Sequence, residues 1–243
     1  MTTRPAKTNR VLGRDELDRG LKLLDVEFGK SDLLTAIAPI RLISIGGFLA
    51  VKLFKNRDST VDIDVLIDPN VDAVPEYRDE VWRSIRRVSK THGFVHDWVN
   101  DQLRIFLRND LRENLFLESI RQNVLIYAGK NLEIYAGRLD FALERKLRRV
   151  AQRSGNRNLE FDLSDALAII DYLVSEKGHP LAVNYCMGLD ENGFGLGVER
   201  SDVEMVAARY LAKYGAQGIV DMAWDEKERR WYYEDLEGNY KYV

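Results

Sequence analysis

The stretch that most constrains this chain is residues 41–69, RLISIGGFLAVKLFKNRDSTVDIDVLIDP. An apolar run at residues 42–45 ends on Gly46-Gly47. A short apolar segment, residues 48–54, leads to a polar loop with Arg57, Ser59 and Thr60, and the stretch closes on VDIDVLID. The pattern predicts strand, glycine turn, helix, loop, strand. Side chains alternate across a strand, so Asp62 and Asp64 are expected on one face and Val61, Ile63, Val65 and Ile67 on the other. Two like charges on one face of an otherwise apolar strand repel each other and weaken the fold. A divalent cation, magnesium first, with phosphate oxygens completing its shell, is the simplest compensation.

The 243 residues suffice for one large domain or two modest ones. A net charge of −3 gives no general attraction to nucleic acid or to an anionic membrane, so any such partner needs a local basic patch. One cysteine, Cys186, forbids an internal disulfide and suits a reducing compartment. No apolar run approaches the ~18–20 residues of a membrane span. MTTRPAKTNR lacks the apolar core of a secretory signal; being basic and free of acids it also fits an organelle address. The reading taken is a flexible arm over residues 1–14 on a cytoplasmic protein.

Beyond the arm, Asp15 is expected to cap a helix with Leu17, Leu21, Leu24 and Phe28 in helical spacing. A short helix at residues 33–37 ends at Pro39. Residues 76–91 read as a helix that Gly93 closes. Residues 94–107, FVHDWVNDQLRIFL, fit either a loop with a short helix or a strand. Residues 124–128 and 132–136 read as a hairpin around Gly129-Lys130-Asn131. About four strands built around helices make an α/β (α+β) sheet of mixed direction, spanning residues 15–138. Residues 139–180 read as helical, with Leu143, Leu147 and Val150 on one stripe and Asp162 capping a second helix. Residues 181–243 read as an extension: a glycine-rich flexible loop or linker at 186–198, a helix at 201–214 and a terminal aromatic hairpin.

Single features each have a bland reading. Gly46-Gly47 can let the backbone approach a phosphate or can simply be a packing turn. Arg57, Ser59 and Thr60 can contact phosphates or only build the loop. Asp62 and Asp64 can be a solvated strand face, yet the surrounding VxIxVLI reads as core. At ~6.5–7 Å between Cβ atoms the two could converge on one metal ion or help hold two.

Together, strand, G-G, short helix and R-x-S-T-x-D-I-D resemble the nucleotidyltransferase (DNA polymerase β-like) superfamily, in its minimal and AbiEii-like branch. The matching residues are Gly46, Gly47, Arg57, Ser59, Thr60, Asp62 and Asp64. Trp98-Val99-Asn100-Asp101 is similar to a W-[LIV]-N-D element within the superfamily. LERKL at 143–147 with DLSD at 162–165 echoes the helices that follow its catalytic sheet. The resemblance covers roughly residues 15–175 and implies a mixed-sheet nucleotidyltransferase fold followed by a helical region. It implies that Asp62 and Asp64 hold Mg²⁺, or Mn²⁺, with a nucleoside triphosphate. An acceptor hydroxyl on protein, RNA or a small molecule would attack the α-phosphorus and release pyrophosphate. Lys146 would reach a phosphate; the other reading is a surface lysine lying along an apolar stripe.

The sequence departs from the pattern at the third carboxylate, which active members bring from a later strand. Glu133 and Asp101 are the candidates. Without one, the fold would serve as a nucleotide-binding or interaction module; a toxin–antitoxin or defence role is the other alternative, from the family alone. His92, His96 and His179 show no metal-ligand spacing and read as structural or surface residues. Arg145, Lys146, Arg148, Arg149, Arg153 and Arg157 form the densest basic region, a solvated helix face or a surface for a phosphate-rich acceptor.

Overall fold

Five strands form one mixed sheet in the order Val99–Asn100, Ile63–Ile67, Ile40–Ile45, Leu132–Ala136, Leu125–Ala128. The structure is a computed structural model and describes residues 11–152 and 159–243. Most of the predicted arm, with Arg153 and Arg157 of the basic region, lies outside the described residues. The fold is mixed α/β, as the pattern predicts. The described chain divides into two compact units that meet at Gly137 and Arg138.

In the first unit, Ile40–Ile45 is the central strand. Ile63–Ile67 runs antiparallel to it, with Ile45 opposite Asp64, and Leu132–Ala136 runs parallel on the other side, with Arg41 opposite Glu133. Leu125–Ala128 closes that edge antiparallel, with an irregularity between Leu125 and Tyr127. The fifth strand lies in the segment that fits either loop or strand. It is only two residues, Val99–Asn100, parallel to Ile63–Ile67, and a 3₁₀ turn at Gln102–Phe106 follows it.

Helix Arg14–Phe28 buries Leu17, Leu21, Leu24 and Phe28 and packs on helix Pro75–His92, which buries Val81, Ile85 and Val88. Its cap differs from expectation: Gly13, not Asp15, precedes the first turn, and the Glu16 carboxylate accepts from the Gly13 N–H at 3.1 Å. Residues near the arm's end also pair: Leu12–Gly13 runs antiparallel to Ser59–Thr60, and Leu12 is buried. Burying one leucine outweighs the freedom of a short arm. The predicted hairpin turn has a partner outside its own sequence. The Asp25 carboxylate accepts from the N–H groups of Asn131 (2.7 Å) and Leu132 (2.9 Å), and a Cβ on Gly129 would lie 2.2 Å from that carboxylate.

The second unit is built on helices Leu139–Ala151 and Leu159–Lys177, with Arg200–Tyr214 against both. Residues 181–243 therefore do not stand apart from the helical region. The glycine-rich segment is no free linker: helix Val183–Met187 covers its start, Cys186, Leu189 and Val198 are buried, and the Glu144 carboxylate accepts from the N–H groups of Glu191 (2.6 Å) and Asn192 (3.3 Å). Burial pushes Glu144 up to about 7 despite these donors and Arg148. The terminal hairpin has a third strand, giving Ala223–Asp225, Arg230–Glu234 and Tyr240–Tyr242 in one antiparallel sheet. Among the described residues no helix is long and apolar enough to cross a membrane.

Candidate functional site

The glycine turn and the acidic strand meet at one end of the sheet. Gly46 has φ +78° and ψ −139°, a backbone that side chains other than glycine's rarely allow. It ends the central strand and begins the helix Gly47–Lys52. A Cβ built on Gly46 would lie 3.8 Å from Asp64 Oδ2, so the Asp64 carboxylate lies against this turn. Ser44, fully buried, donates its hydroxyl to the Asp64 carbonyl at 2.7 Å and holds the strand register there.

Gly47 and Thr60 explain each other. A Cβ on Gly47 would sit 2.2 Å from Thr60 Oγ1, and Thr60 is buried. The same hydroxyl donates to the Asp62 carbonyl at 3.2 Å. Thr60 is thus a spacer that sets where the acidic segment starts. Ser59 pairs with Gly13, and Arg57 is partly exposed in the preceding loop.

Asp62 differs from expectation in one respect. The strand begins at Ile63, and Val61, expected on the buried face, is 51% exposed. The alternation breaks because Thr60 turns inward against Gly47. Asp62 and Asp64 still come together, both partly exposed. Burial, then the Asp64 charge, raises the Asp62 carboxyl to about 6; the Asn100 amide donates to Asp62 Oδ2 at 3.3 Å and opposes the shift, and the Asp97 charge adds to it. Asn100 stands opposite Asp64 in the parallel register, so their side chains share one face.

Sequence reasoning missed Asn100 and Asp97. Asn100 ends the two-residue edge strand and Asp97 lies just before it, and the pairing of that strand is set by a partner some 35 residues earlier. The available signal was the asparagine in W-V-N-D, passed over in a search for acids.

The candidate third carboxylates are drawn elsewhere. Asp101 lies 3.5 Å from Arg104, which also pairs with Asp72 at 3.3 Å. Glu133 shares the face of Asp64, but it pairs with Arg41 (3.2 Å) and accepts from the Tyr135 hydroxyl (3.1 Å). Arg41 and Ile45 are four residues apart, so Glu133 is displaced about 13 Å along the sheet from the rung of Asp64. The rung beside Ile45 on that strand falls to Gly137, whose N–H donates to the Ser44 carbonyl and whose added Cβ would lie 2.6 Å from Ile45.

Lys146 belongs to the second unit. It is buried, with Nζ 2.8 Å from Asp162 and 2.6 Å from Asp165; Arg149 reaches Asp162 at 3.2 Å. Asp162 is therefore not a cap but lies inside the helix Leu159–Lys177. Arg148 pairs with Glu144 and Asp190. Lys146, Arg148 and Arg149 are thus matched with acids and do not make an open cationic face. His92 and His96 are exposed.

Among the described residues no three His, Cys, Asp or Glu side chains are grouped to hold a metal ion. The donor set at Asp62 and Asp64 is two carboxylates beside an amide. That is oxygen chemistry of the kind magnesium takes with one or two carboxylates plus substrate phosphates. Compared with known protein families, curated proteins and solved structures, the chain matches none.

Proposed function

We propose that Asp62 and Asp64 form the metal-binding centre of a nucleotidyltransferase-type site that moves a nucleoside monophosphate from a triphosphate to an acceptor hydroxyl. One observation carries the reading: two carboxylates meet at a glycine turn, where burial and mutual repulsion lift Asp62 to about 6. A cation is the natural relief for that repulsion. Asp62 and Asp64 would hold magnesium, which supplies neutralisation of charge developing on phosphate oxygens. Gly46 turns the backbone beside the Asp64 carboxylate, and Gly47 leaves room for Thr60. Thr60 and Ser44 fix the backbone of the two acids, and Asn100 orients Asp62. In the transfer, the acceptor oxygen bonds to the α-phosphorus, the bond to the β-phosphate oxygen breaks, and pyrophosphate leaves. The hydroxyl proton passes to water at the open edge of the site, where Asp97 is exposed.

The test titrates ATP, CTP, GTP and UTP with Mg²⁺ against wild type and Asp62→Ala/Asp64→Ala, and follows transfer of α-labelled phosphate. Magnesium should also raise the wild-type melting midpoint above pH ~6 and leave the double variant unmoved. If neither binding nor transfer separates the two proteins, the reading fails. Glycine at position 137 and the hold of Arg41 on Glu133 favour a second reading, a nucleotide-binding module without turnover. Asp62/Asp64-dependent binding with no label transfer would select it.

A further inference from the structure

We propose that Arg104 and Arg112 form an oxyanion site beside the acidic centre, and that it takes a phosphate borne by the acceptor. The site stands on the geometry of the two arginines alone; its assignment to the acceptor rests on the nucleotidyl-transfer reading. Arg104 lies in the 3₁₀ turn Gln102–Phe106, and Arg112 opens the helix Arg112–Gln122. The two differ in how they are paired. Arg104 is held by Asp72 at 3.3 Å and by Asp101 at 3.5 Å. Among the described residues Arg112 pairs with no carboxylate. Its Nη2 donates to the Arg104 carbonyl at 2.9 Å, its Nε is buried without an acceptor, and its Nη1 has no protein partner.

A guanidinium drawn out of water without a counter-charge is costly. Burial, then the Arg104 charge, holds Arg112 below its ordinary value, and the charges of Asp72 and Asp101 only partly oppose this. An oxyanion beside the two guanidiniums relieves that cost. Nη1 and the remaining Nη2 hydrogen of Arg112 make a fork that matches two phosphate oxygens, and Arg104 adds a second positive charge. Two cations facing one ligand favour a phosphate dianion over a single carboxylate.

Placement selects the acceptor. On the rung of Asp64, Ile45 and the glycine turn lie on one side and Asn100 on the other. Asp101 follows Asn100 and pairs with Arg104, and the turn Gln102–Phe106 packs on strand Ile63–Ile67. The arginines therefore lie on the edge-strand side of the acidic pair, away from the glycine turn. A triphosphate approached by the glycine backbone leaves this side to the second substrate, a hydroxyl compound that bears a phosphate monoester.

The test titrates inorganic phosphate into the full chain by calorimetry, without divalent metal and at constant low ionic strength. The expected wild-type Kd is on the order of 1 mM, with acetate at least ~5-fold weaker. Asp62→Ala/Asp64→Ala should bind phosphate at least as tightly as wild type. Arg112→Gln should bind it at least ~10-fold more weakly with an unchanged circular dichroism spectrum, and should bind Mg²⁺ with ATP as wild type does. Should Arg112→Gln fail to fold, Arg112→Lys decides, because it keeps the charge without the fork and should also bind phosphate more weakly. Absence of phosphate binding at about 20 mM, equal binding of acetate, or wild-type phosphate affinity in the Arg112 variants would overturn the site. An equal loss of ATP binding in Arg112→Gln would overturn the assignment to the acceptor. If phosphate binds but ATP with Mg²⁺ binds neither wild type nor Asp62→Ala/Asp64→Ala, the transfer reading fails, the acceptor assignment falls with it, and the oxyanion site stands.

Discussion

At the scale of single residues, Asp62 and Gly47 are where the sequence pattern becomes physics. Asp62 has its carboxyl raised from 3.8 to about 6, so the folded protein binds this proton more tightly than the unfolded chain. Its cost to stability is absent below pH ~4, grows as pH rises toward ~6, and stays constant above. Asp62→Asn should therefore be more stable than wild type at pH ~8, by on the order of 1 kcal/mol once solvent screening of a partly exposed group is allowed for, and equal to it near pH ~4. Urea unfolding at the two pH values measures this; an Asn variant less stable at pH ~8 would contradict it. Gly47→Ala puts a methyl 2.2 Å from the buried Thr60 hydroxyl. A loss of ~1–3 kcal/mol is expected, seen as a lower urea midpoint, with Thr60→Gly in the same chain recovering most of it. The D-x-D pair was legible because two acids two residues apart in an apolar run are local information, even though Asp62 lies just outside the strand. The spacer role of Thr60 was not, since only the packed structure shows that Gly47 leaves room for it.

At the scale of elements, legibility followed length. Helices Pro75–His92 and Arg200–Tyr214 could be read from apolar spacing over four or more turns. The strand Val99–Asn100 could not, because two residues have no period. Asp162 shows a different limit. An aspartate near a helix start reads as a cap, but here Lys146 and Arg149 from the helix Leu139–Ala151 draw it into the helix–helix contact, with Asp165 beside it. Lys146→Ala would leave two nearly buried carboxylates facing one remaining cation, and a destabilisation of ~3–5 kcal/mol is expected. Adding Asp165→Asn to Lys146→Ala should return part of that loss, because it removes a buried charge that has lost its Lys146 ion pair. Thermal unfolding of the single and double variants distinguishes this from a solvated lysine, whose removal would change little.

At the scale of the whole molecule, a mixed α/β class followed from sequence because strands and helices alternate through residue 136. The architecture of residues 181–243 did not, because its short strands and glycine-rich turns derive their order from contacts such as Glu144 to the 191–192 backbone, which carry no local pattern. Every rung of the five-stranded sheet lies between Ile40 and Ala136, and the helix carrying Leu17 to Phe28 is tied to it through Asp25. A chain of residues 11–137 should therefore unfold in one cooperative transition. Starting at residue 15 instead removes Leu12–Gly13, unpairs Ser59–Thr60 and takes away a fully buried leucine. That loss amounts to ~1.5–3 kcal/mol from burial alone, and it falls on the segment that sets Asp62 in place. The 15–137 chain should thus show both a lower urea midpoint and weaker magnesium-dependent stabilisation than 11–137. Equal behaviour of the two chains would mean that the short N-terminal strand contributes nothing to the acidic site.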